Sequence, residues 1–243
     1  MTNPNALQWF KRRRGGAGAP WTPLALADVL QYHDATNLAS MGVSGGEATK
    51  WDDLGPRANG LTAASASSAV WPAYEAAGLG TGPCLLFDGV GEWLRIVAAS
   101  YGGTLASYSL AMCADQVAMG ANQYCVAYGA TGRPSLIQRT NQLRHTGSGG
   151  VAQNSTTNPT TAGLWIATWD GATMSLYLNG ALEVGPTANA GAAIADGATF
   201  GVGSLVGASF ANERVGLALF VRGVMTAGEM ALLRAYCTAA GWP

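Results

Sequence analysis

The stretch Leu164–Gly180, LWIATWDGATMSLYLNG, decides the fold. Two runs of alternating apolar and polar residues flank Asp170-Gly171, and a second turn signal, Asn179-Gly180, follows directly. Alternation with a period of two is typical of strands that bury one face. Asp-Gly and Asn-Gly supply residues that tolerate the positive φ of tight hairpin turns. The stretch therefore predicts three consecutive antiparallel strands, the third beginning near Ala181.

Further short runs bounded by turn residues predict the remaining strands. They lie at 29–34, 84–89, 92–96, 108–117, 123–128, 135–139, 142–145, 199–203 and 213–221. Residues 37–47 and 147–161 are predicted as loops, and residues 71–74 as irregular. Near the end, Thr226 and Glu229 have the spacing of a capping box, which predicts one short helix at about 227–240. This pattern predicts an all-β sandwich of two antiparallel sheets closed by a helix.

Charge divides the chain into an arm and a body. The 243 residues carry 13 basic and 14 acidic side chains, and four of the basic ones form the run Lys11, Arg12, Arg13 and Arg14. Without that run the body has a net charge of -5, so direct binding of nucleic acid is not expected. We predict a basic N-terminal arm at residues 1–19 and one folded domain at residues 20–243. In the arm, Trp9 and Phe10 are candidate apolar anchors beside the cations.

Cysteine and acid patterns provide no evidence for a cofactor. Cys84, Cys113, Cys125 and Cys237 form no CxxC pair and no cluster with histidine, so a zinc site is not expected. Cys113 and Cys125 could lie on neighbouring strands, but buried free thiols are the favoured interpretation. No apolar run approaches the roughly 18 residues of a membrane helix. The polar N-terminus lacks the apolar region of a secretory signal, so none is expected.

Five landmarks of the sequence together resemble a known superfamily. They are TKWDDLGPRANGLT, PCLLFDGVGEWLRI, LWIATWDGATMSLYLNG, TFGVGS and VGLALFVRGVMTAGEMALLRAYC, in this order. The order resembles that of concanavalin A-like, laminin-G-like jelly-roll domains, over about residues 28–241. Members of this kind are common among bacteriophage virion proteins, often behind a basic arm. The resemblance thus implies a two-sheet jelly roll with an extended N-terminal arm and a short C-terminal helix.

The first functional hypothesis is a structural virion protein of a bacteriophage, either a capsid decoration protein or a tail-associated accessory. The expected location is the virion, and the expected partners are other virion proteins, which the arm would contact through residues 9–14. Assembly from identical parts favours a homo-oligomer, with a trimer as the preferred guess. Fold likeness alone does not decide function.

The alternative is a carbohydrate-binding module that attaches to cell-surface glycans. Such a site requires exposed aromatic rings that stack on sugars, with polar side chains that bind the hydroxyls. The candidates in predicted loops or at strand edges are Trp71, Tyr74, Tyr101, Asn141, Arg144 and His145. Packing in the core or at an interface is the competing interpretation for each of them.

A glycan depolymerase is the least supported hypothesis, and we expect no enzymatic activity. Glucanases of the superfamily carry an E-x-D-x-x-E triplet, which this sequence lacks. Asp52 and Asp53 are adjacent, so on a strand they would point to opposite faces and could not form the facing pair of a glycosidase. Some members bind calcium through loop acids, for which Asp88 and Glu92 are weak candidates. Acids beside glycine more often serve the turn itself.

Overall fold

The computed structural model describes residues 21–57, 59–63, 71–97, 99, 101–118, 123–129, 134–147, 150–204 and 209–243. The first nine strands are β1 Val29–Asp34, β2 Met41–Ser44, β3 Glu47–Trp51, β4 Leu61–Ala63, β5 Ala73–Leu79, β6 Gly82–Asp88, β7 Leu94–Ile96, β8 Tyr108–Ala118 and β9 Gln123–Tyr128. The others are β10 Ser135–Arg139, β11 Gln142–Thr146, β12 Ala152–Asn154, β13 Gly163–Trp169, β14 Thr173–Leu178, β15 Ala181–Ala188, β16 Phe200–Val202 and β17 Asn212–Arg222. Among the described residues, the α-helix is α1, Ala227–Ala239, and two short 3-10 helices span Pro23–Ala25 and Leu38–Ser40.

These strands form two antiparallel layers, which confirms the predicted all-β, jelly-roll-like fold. In the first layer the pairing order is β12-β11-β10-β9-β16-β7-β4-β3-β2. In the second layer β17 pairs with β8, which continues through β13 and β14 to β15, and on its other side β17 pairs with both β1 and β6. Strand β5 joins the layers, because it pairs with β6 and also with β3. The sheet therefore curves and nearly closes on itself.

The meander predicted from Leu164–Gly180 is present as β13, β14 and β15. Trp165 pairs with Leu178, and Asn179 and Gly180 form the second turn with φ of 54° and 82°. All residues of β13, which pairs with β8 on one side and β14 on the other, are buried. Hydrophobic burial along this run, at roughly 25 cal/mol per Å², is what holds the meander in register.

Aromatic rings from both layers meet in the core around Phe220 of β17. Its ring centroid lies 5.4 Å from that of Tyr101, 5.9 Å from Tyr108, 5.6 Å from Tyr128 and 6.1 Å from Phe200. All five side chains are fully buried. Rings at these separations gain interaction energy beyond area burial. The cluster therefore joins β8 and β17 of the second layer to β9 and β16 of the first.

Helix α1 covers the outer face of the second layer. Thr226 and Glu229 form the predicted capping box, with the Glu229 amide donating to Thr226 Oγ1 at 3.2 Å. The buried residues of the helix are Met230, Leu233 and Cys237. The helix also contacts β1, since the hydroxyls of Tyr32 and Tyr236 lie 2.9 Å apart.

The cysteine prediction is confirmed, whereas several loop predictions are wrong. All four cysteines are buried free thiols. Residues 37–47 were expected to be loop, yet they contain β2 and the start of β3, whose hairpin turns at two glycines with positive φ. Residues 71–74 enter β5, and the expected loop at 147–161 contains the short strand β12. These strands are short or rich in small residues, so their alternation in sequence is weak.

The arm at residues 1–19, with its boundary at residue 20, lies outside the described residues. Within the described part of the chain, no helix is long and apolar enough to cross a membrane.

Candidate functional site

Strands β9 to β12 present one row of side chains on the outer side of the first layer. In the β10–β11 hairpin, Ile137 pairs with Arg144. Arg144 pairs in turn with Asn154 of β12, and Ile137 with Tyr124 of β9. Directly paired residues project from the same face of a sheet. The row continues to Phe210, which forms an isolated bridge with Tyr124.

We call this surface the β9–β12 face, defined by Phe210, Tyr124, Ile137, Arg139, Gln142, Arg144 and Asn154. Asn154 is exposed, and the rings of Tyr124 and Phe210 are half-buried, as are both arginines. Ile137 is buried at 8% exposure, between Tyr124 and Arg144. Five strand positions at about 4.8 Å spacing make the row roughly 19 Å long. It thus combines aromatic rings at one end with polar side chains at the other.

The two arginines of the face lie close to each other. Arg139 pairs with Gln142, so Arg144 is its diagonal neighbour on the adjacent strand, roughly 7–8 Å away between the backbones. Nε of Arg144 donates to Asn154 Oδ1 at 2.9 Å, which orients the guanidinium. Desolvation, followed by repulsion from Arg139, lowers the pKa of Arg144. The face therefore holds two neighbouring cations that repel each other.

His145 lies on the opposite side of β11, so its assignment as a glycan contact needs correction. Its side chain is completely buried, and Nε2 lies 2.8 Å from the hydroxyl of Tyr108. Burial lowers the pKa of His145 to about 4, so the ring is neutral near pH 7. The alternation along β11 that exposes Arg144 sends its neighbour into the core. His145 cannot touch a ligand on the surface.

Tyr101 needs the same correction. Its side chain is 0% exposed, and its ring packs 4.9 Å from that of Tyr128. Trp71 and Tyr74 are half-buried at β5, and Tyr74 packs against the core. Of the six predicted glycan contacts, Asn141 and Arg144 lie on the β10–β11 hairpin, whereas Trp71 and Tyr74 lie at the start of β5. Asn141 is exposed and adopts a φ of 64° at the turn.

The calcium candidates Asp88 and Glu92 stabilise a turn. Asp88 Oδ1 accepts from the Val90 amide at 2.7 Å, and Glu92 Oε2 accepts from the Asp88 amide at 2.6 Å. Burial, followed by repulsion from Asp88, raises the pKa of Glu92 to about 7. Within the described ranges no group of three or more His, Cys, Asp or Glu side chains is placed to hold a metal. The geometry is thus that of an Asx-type turn.

An apolar groove of about 390 Å³ lies between α1 and the start of the described chain. Its lining residues are Trp21, Thr36, Leu232, Ala235, Tyr236, Ala239 and Ala240. The rings of Trp21 and Tyr236 meet edge to face, with centroids 6.2 Å apart. The hydroxyls of Thr36 and Tyr236 both donate to the buried carboxylate of Asp34. With these hydroxyls already engaged, the groove offers a sugar less than the β9–β12 face does.

Sequence reasoning missed most of the β9–β12 face, although part of it was readable. With a two-residue turn at Thr140-Asn141, strand pairing places Arg139 beside Gln142 and projects Arg144 to the same side. The face from which Tyr124 projects could not be predicted from the sequence. The register of β9 against β10 shifts between Leu136 and Ile137, so that Cys125 has no partner on β10. A bulge of this kind changes the face on which later residues lie.

Comparison with known proteins reveals likeness in structure alone. No protein-family model matches the sequence, and no curated protein matches it. Among solved structures, the sialidase of Trypanosoma rangeli matches with a TM-score of 0.62 and 14% identity over 98% of this chain. The chain spans 39% of the length of that sialidase. Identity this low indicates a shared fold only.

Two further matches are to a binding domain and to a domain solved in complex with a sugar. The binding domain of Paraclostridial Mosquitocidal Protein 1 matches with a TM-score of 0.59 and 9% identity, over 86% of this chain and 52% of that one. Domain 4 of AbnA, an extracellular arabinanase from Geobacillus stearothermophilus solved with arabinotriose, matches with a TM-score of 0.55 and 12% identity. That match covers 86% of this chain and 98% of the AbnA domain. The chain is thus similar in fold to part of a sialidase, to the binding domain of a toxin and to an arabinanase domain.

Proposed function

We propose that this protein binds a glycan on the β9–β12 face. The observation that carries the proposal is the row in which the half-buried rings of Tyr124 and Phe210 are followed by Arg144 and Asn154. Sugars present apolar C–H faces to aromatic rings and hydroxyls to amide and guanidinium groups, so this order suits an extended saccharide. The likeness to the AbnA domain solved with arabinotriose supports this proposal at the level of fold.

The proposed site relies on rigid strands rather than on loops. Tyr124 is fixed at two points, since its amide donates to the Ser209 carbonyl at 2.9 Å and its strand pairs with β10. Arg144 is held by Asn154, as described above. A ligand would therefore find the contacting groups already in place, which reduces the entropy lost on binding.

Replacing Tyr124 by alanine tests the proposal. We expect Tyr124→Ala to weaken glycan binding by about fivefold or more, because loss of one stacking platform corresponds to about 1 kcal/mol or more. Screening on a glycan array that includes arabino-oligosaccharides identifies ligands, and calorimetry measures the affinity. Tyr177→Ala is the matched control, since Tyr177 is also half-buried but lies on β14 of the other layer. Absence of any glycan ligand, or equal affinity of the two variants, would contradict the proposal.

A second candidate function, a bacteriophage virion component, rests on the basic aromatic arm. Trp9, Phe10 and the four cations at residues 11–14 lie outside the described residues, so this hypothesis is supported by the sequence alone. The cations would be attracted to an acidic partner surface, and the rings would bury roughly 150–250 Å² each. A glycan-binding domain on a virion would combine the two functions. Homo-oligomerisation, and the absence of hydrolytic activity, stay predictions.

Deletion of residues 1–14 tests the role of the arm. We expect the truncated domain to remain folded, by circular dichroism, but to be absent from assembled particles. The reason is that ordering a chain segment costs roughly 1–2 kcal/mol per residue, which exposed charge pairs alone do not offset, so the anchors are essential. Particle composition by mass spectrometry measures the outcome. Full occupancy of the truncated protein would show that the arm is not an anchor.

A further inference from the structure

We propose that the saccharide bound by the β9–β12 face is anionic and that Arg139 and Arg144 bind its carboxylate. This inference rests on the proposed glycan-binding function and adds the class of ligand. It starts from the arrangement of charge on the face, where two guanidinium groups lie at diagonal positions of one hairpin. Arginine presents a planar fork of donors that matches the two oxygens of a carboxylate.

Elsewhere in the described chain, several arginines are engaged by acids. Arg57 and Arg222 both pair with Asp28, at 2.8 and 2.6 Å, and Arg214 pairs with Glu75 at 2.7 Å. Arg139 and Arg144, by contrast, lie within 4 Å of no carboxylate among the described residues. They are nevertheless half-buried, which disfavours an uncompensated charge. A bound anion would supply the missing compensation.

The hydrogen bonding of Arg144 leaves its donors available. Its Nε is held by Asn154 Oδ1, and no described residue accepts from either Nη. The Nη groups are therefore fixed in direction yet unpaired within the described part of the chain. Desolvation, and after it repulsion from Arg139, lowers the pKa of Arg144, and an anion between the two arginines would relieve that repulsion.

Charge also argues against the competing polyanion, a nucleic acid. Outside the basic run at residues 11–14, the chain carries five more acids than bases. A nucleic acid would contact a long stretch of this surface, and its phosphates would be repelled by the net negative charge. A saccharide acid needs only a local cationic pair beside stacking rings. Tyr124 and Phe210, in the same row, provide such rings.

The test compares oligosaccharides that differ only in charge. Oligogalacturonate and its methyl ester form one pair, oligomannuronate and its methyl ester a second, and sialyllactose and its methyl ester a third. We expect the acid of at least one pair to bind the full chain about tenfold or more tightly than its neutral counterpart, by calorimetry. Arg144→Gln and Arg139→Gln should each remove that preference while leaving the weaker binding of the neutral form.

Lys50→Gln is the matched control, because Lys50 is a half-buried cation on β3 that pairs with Asp52 at 2.6 Å. Its strand is separated from β11 by β10, β9, β16, β7 and β4. The variant should retain the preference of the wild type. Equal binding of acid and ester overturns the inference and leaves the proposed function standing. No binding by any saccharide refutes both. Tighter binding of an oligonucleotide, or of a sulfated chain than of any carboxylated one, also overturns the assignment.

Discussion

Phe220→Ala is expected to destabilise the protein by about 3–5 kcal/mol, close to the full effect of removing a buried aromatic ring. The ring lies among Tyr101, Tyr108, Tyr128 and Phe200, with all centroids within 6.1 Å. These neighbours belong to both layers, so no single strand can shift to fill the space. Chemical denaturation with urea measures the change in the free energy of unfolding.

Leu182→Ala provides the comparison for this variant. Leu182 is 53% exposed on β15, so its truncation should change stability by only about 0.5 kcal/mol. Phe220→Leu, which retains most of the volume, should fall between the two. A loss below about 1 kcal/mol for Phe220→Ala would show that the layers are not joined through this cluster.

Stability should fall as the pH rises through the neutral range, and Glu213→Gln should remove most of that fall. Glu213 is completely buried on β17, where its Oε2 accepts from Gln116 Nε2 at 3.0 Å. Burial raises the pKa of Glu213 to about 8, while hydrogen bonds from Gln116 and Cys125 act in the opposite direction. The folded protein therefore keeps this carboxyl protonated at pH 7.

The sign follows from the proton balance. The unfolded chain releases the Glu213 proton near its ordinary pKa of 4.5, whereas the folded chain keeps it until about 8. Stabilisation is thus complete below pH 4.5 and is lost as the pH rises to 8, at up to about 1.4 kcal/mol per pH unit. Burial lowers the pKa of His33 and His145 to about 4, so both are neutral throughout pH 7–8. Glu92, with a pKa near 7, adds a smaller slope of the same sign.

Urea unfolding at pH 7 and pH 8 measures the effect. The wild type should lose about 1 kcal/mol over this unit, and Glu213→Gln should lose much less. At pH 8 the variant should also be more stable than the wild type, by up to about 4 kcal/mol, because an amide needs no proton to be buried. Glu92→Gln is the control, since it removes only the smaller slope. Identical pH profiles for wild type and Glu213→Gln would show that Glu213 is ionised in the folded state.

Much of the fold could be predicted because its strands have regular alternation. The run 29–34 is β1, 123–128 is β9 and 135–139 is β10, each with the predicted limits. The helix was also predictable, since capping and apolar spacing agree there. Strands β2, β5 and β12 were missed because glycine, alanine and exposed polar residues dominate them. Such strands form through pairing with partners distant in sequence, which no local pattern reports.

The site was harder to predict than the fold, for a geometric reason. Sequence identified aromatic and polar residues by type, but the decisive property is the face from which each one projects. His145 and Arg144 are neighbours in sequence, yet the first is fully buried and the second half-exposed. Tyr101 was assigned to the surface because it lies outside a strand, whereas its ring is fully buried in the core. Register and bulges decide these outcomes, and they depend on the assembled sheet.

Strand β17 has a consequence for the order in which the protein is made and folds. It pairs with β1, near the other end of the described chain, as well as with β6 and β8. During synthesis these three strands leave the ribosome long before their common partner does, so their edges stay open in the meantime. Topologies with such distant pairings fold slowly and are prone to aggregate on the way. We therefore expect the yield of folded protein to depend on chaperones and on a slow, cool expression regime more than on the final stability.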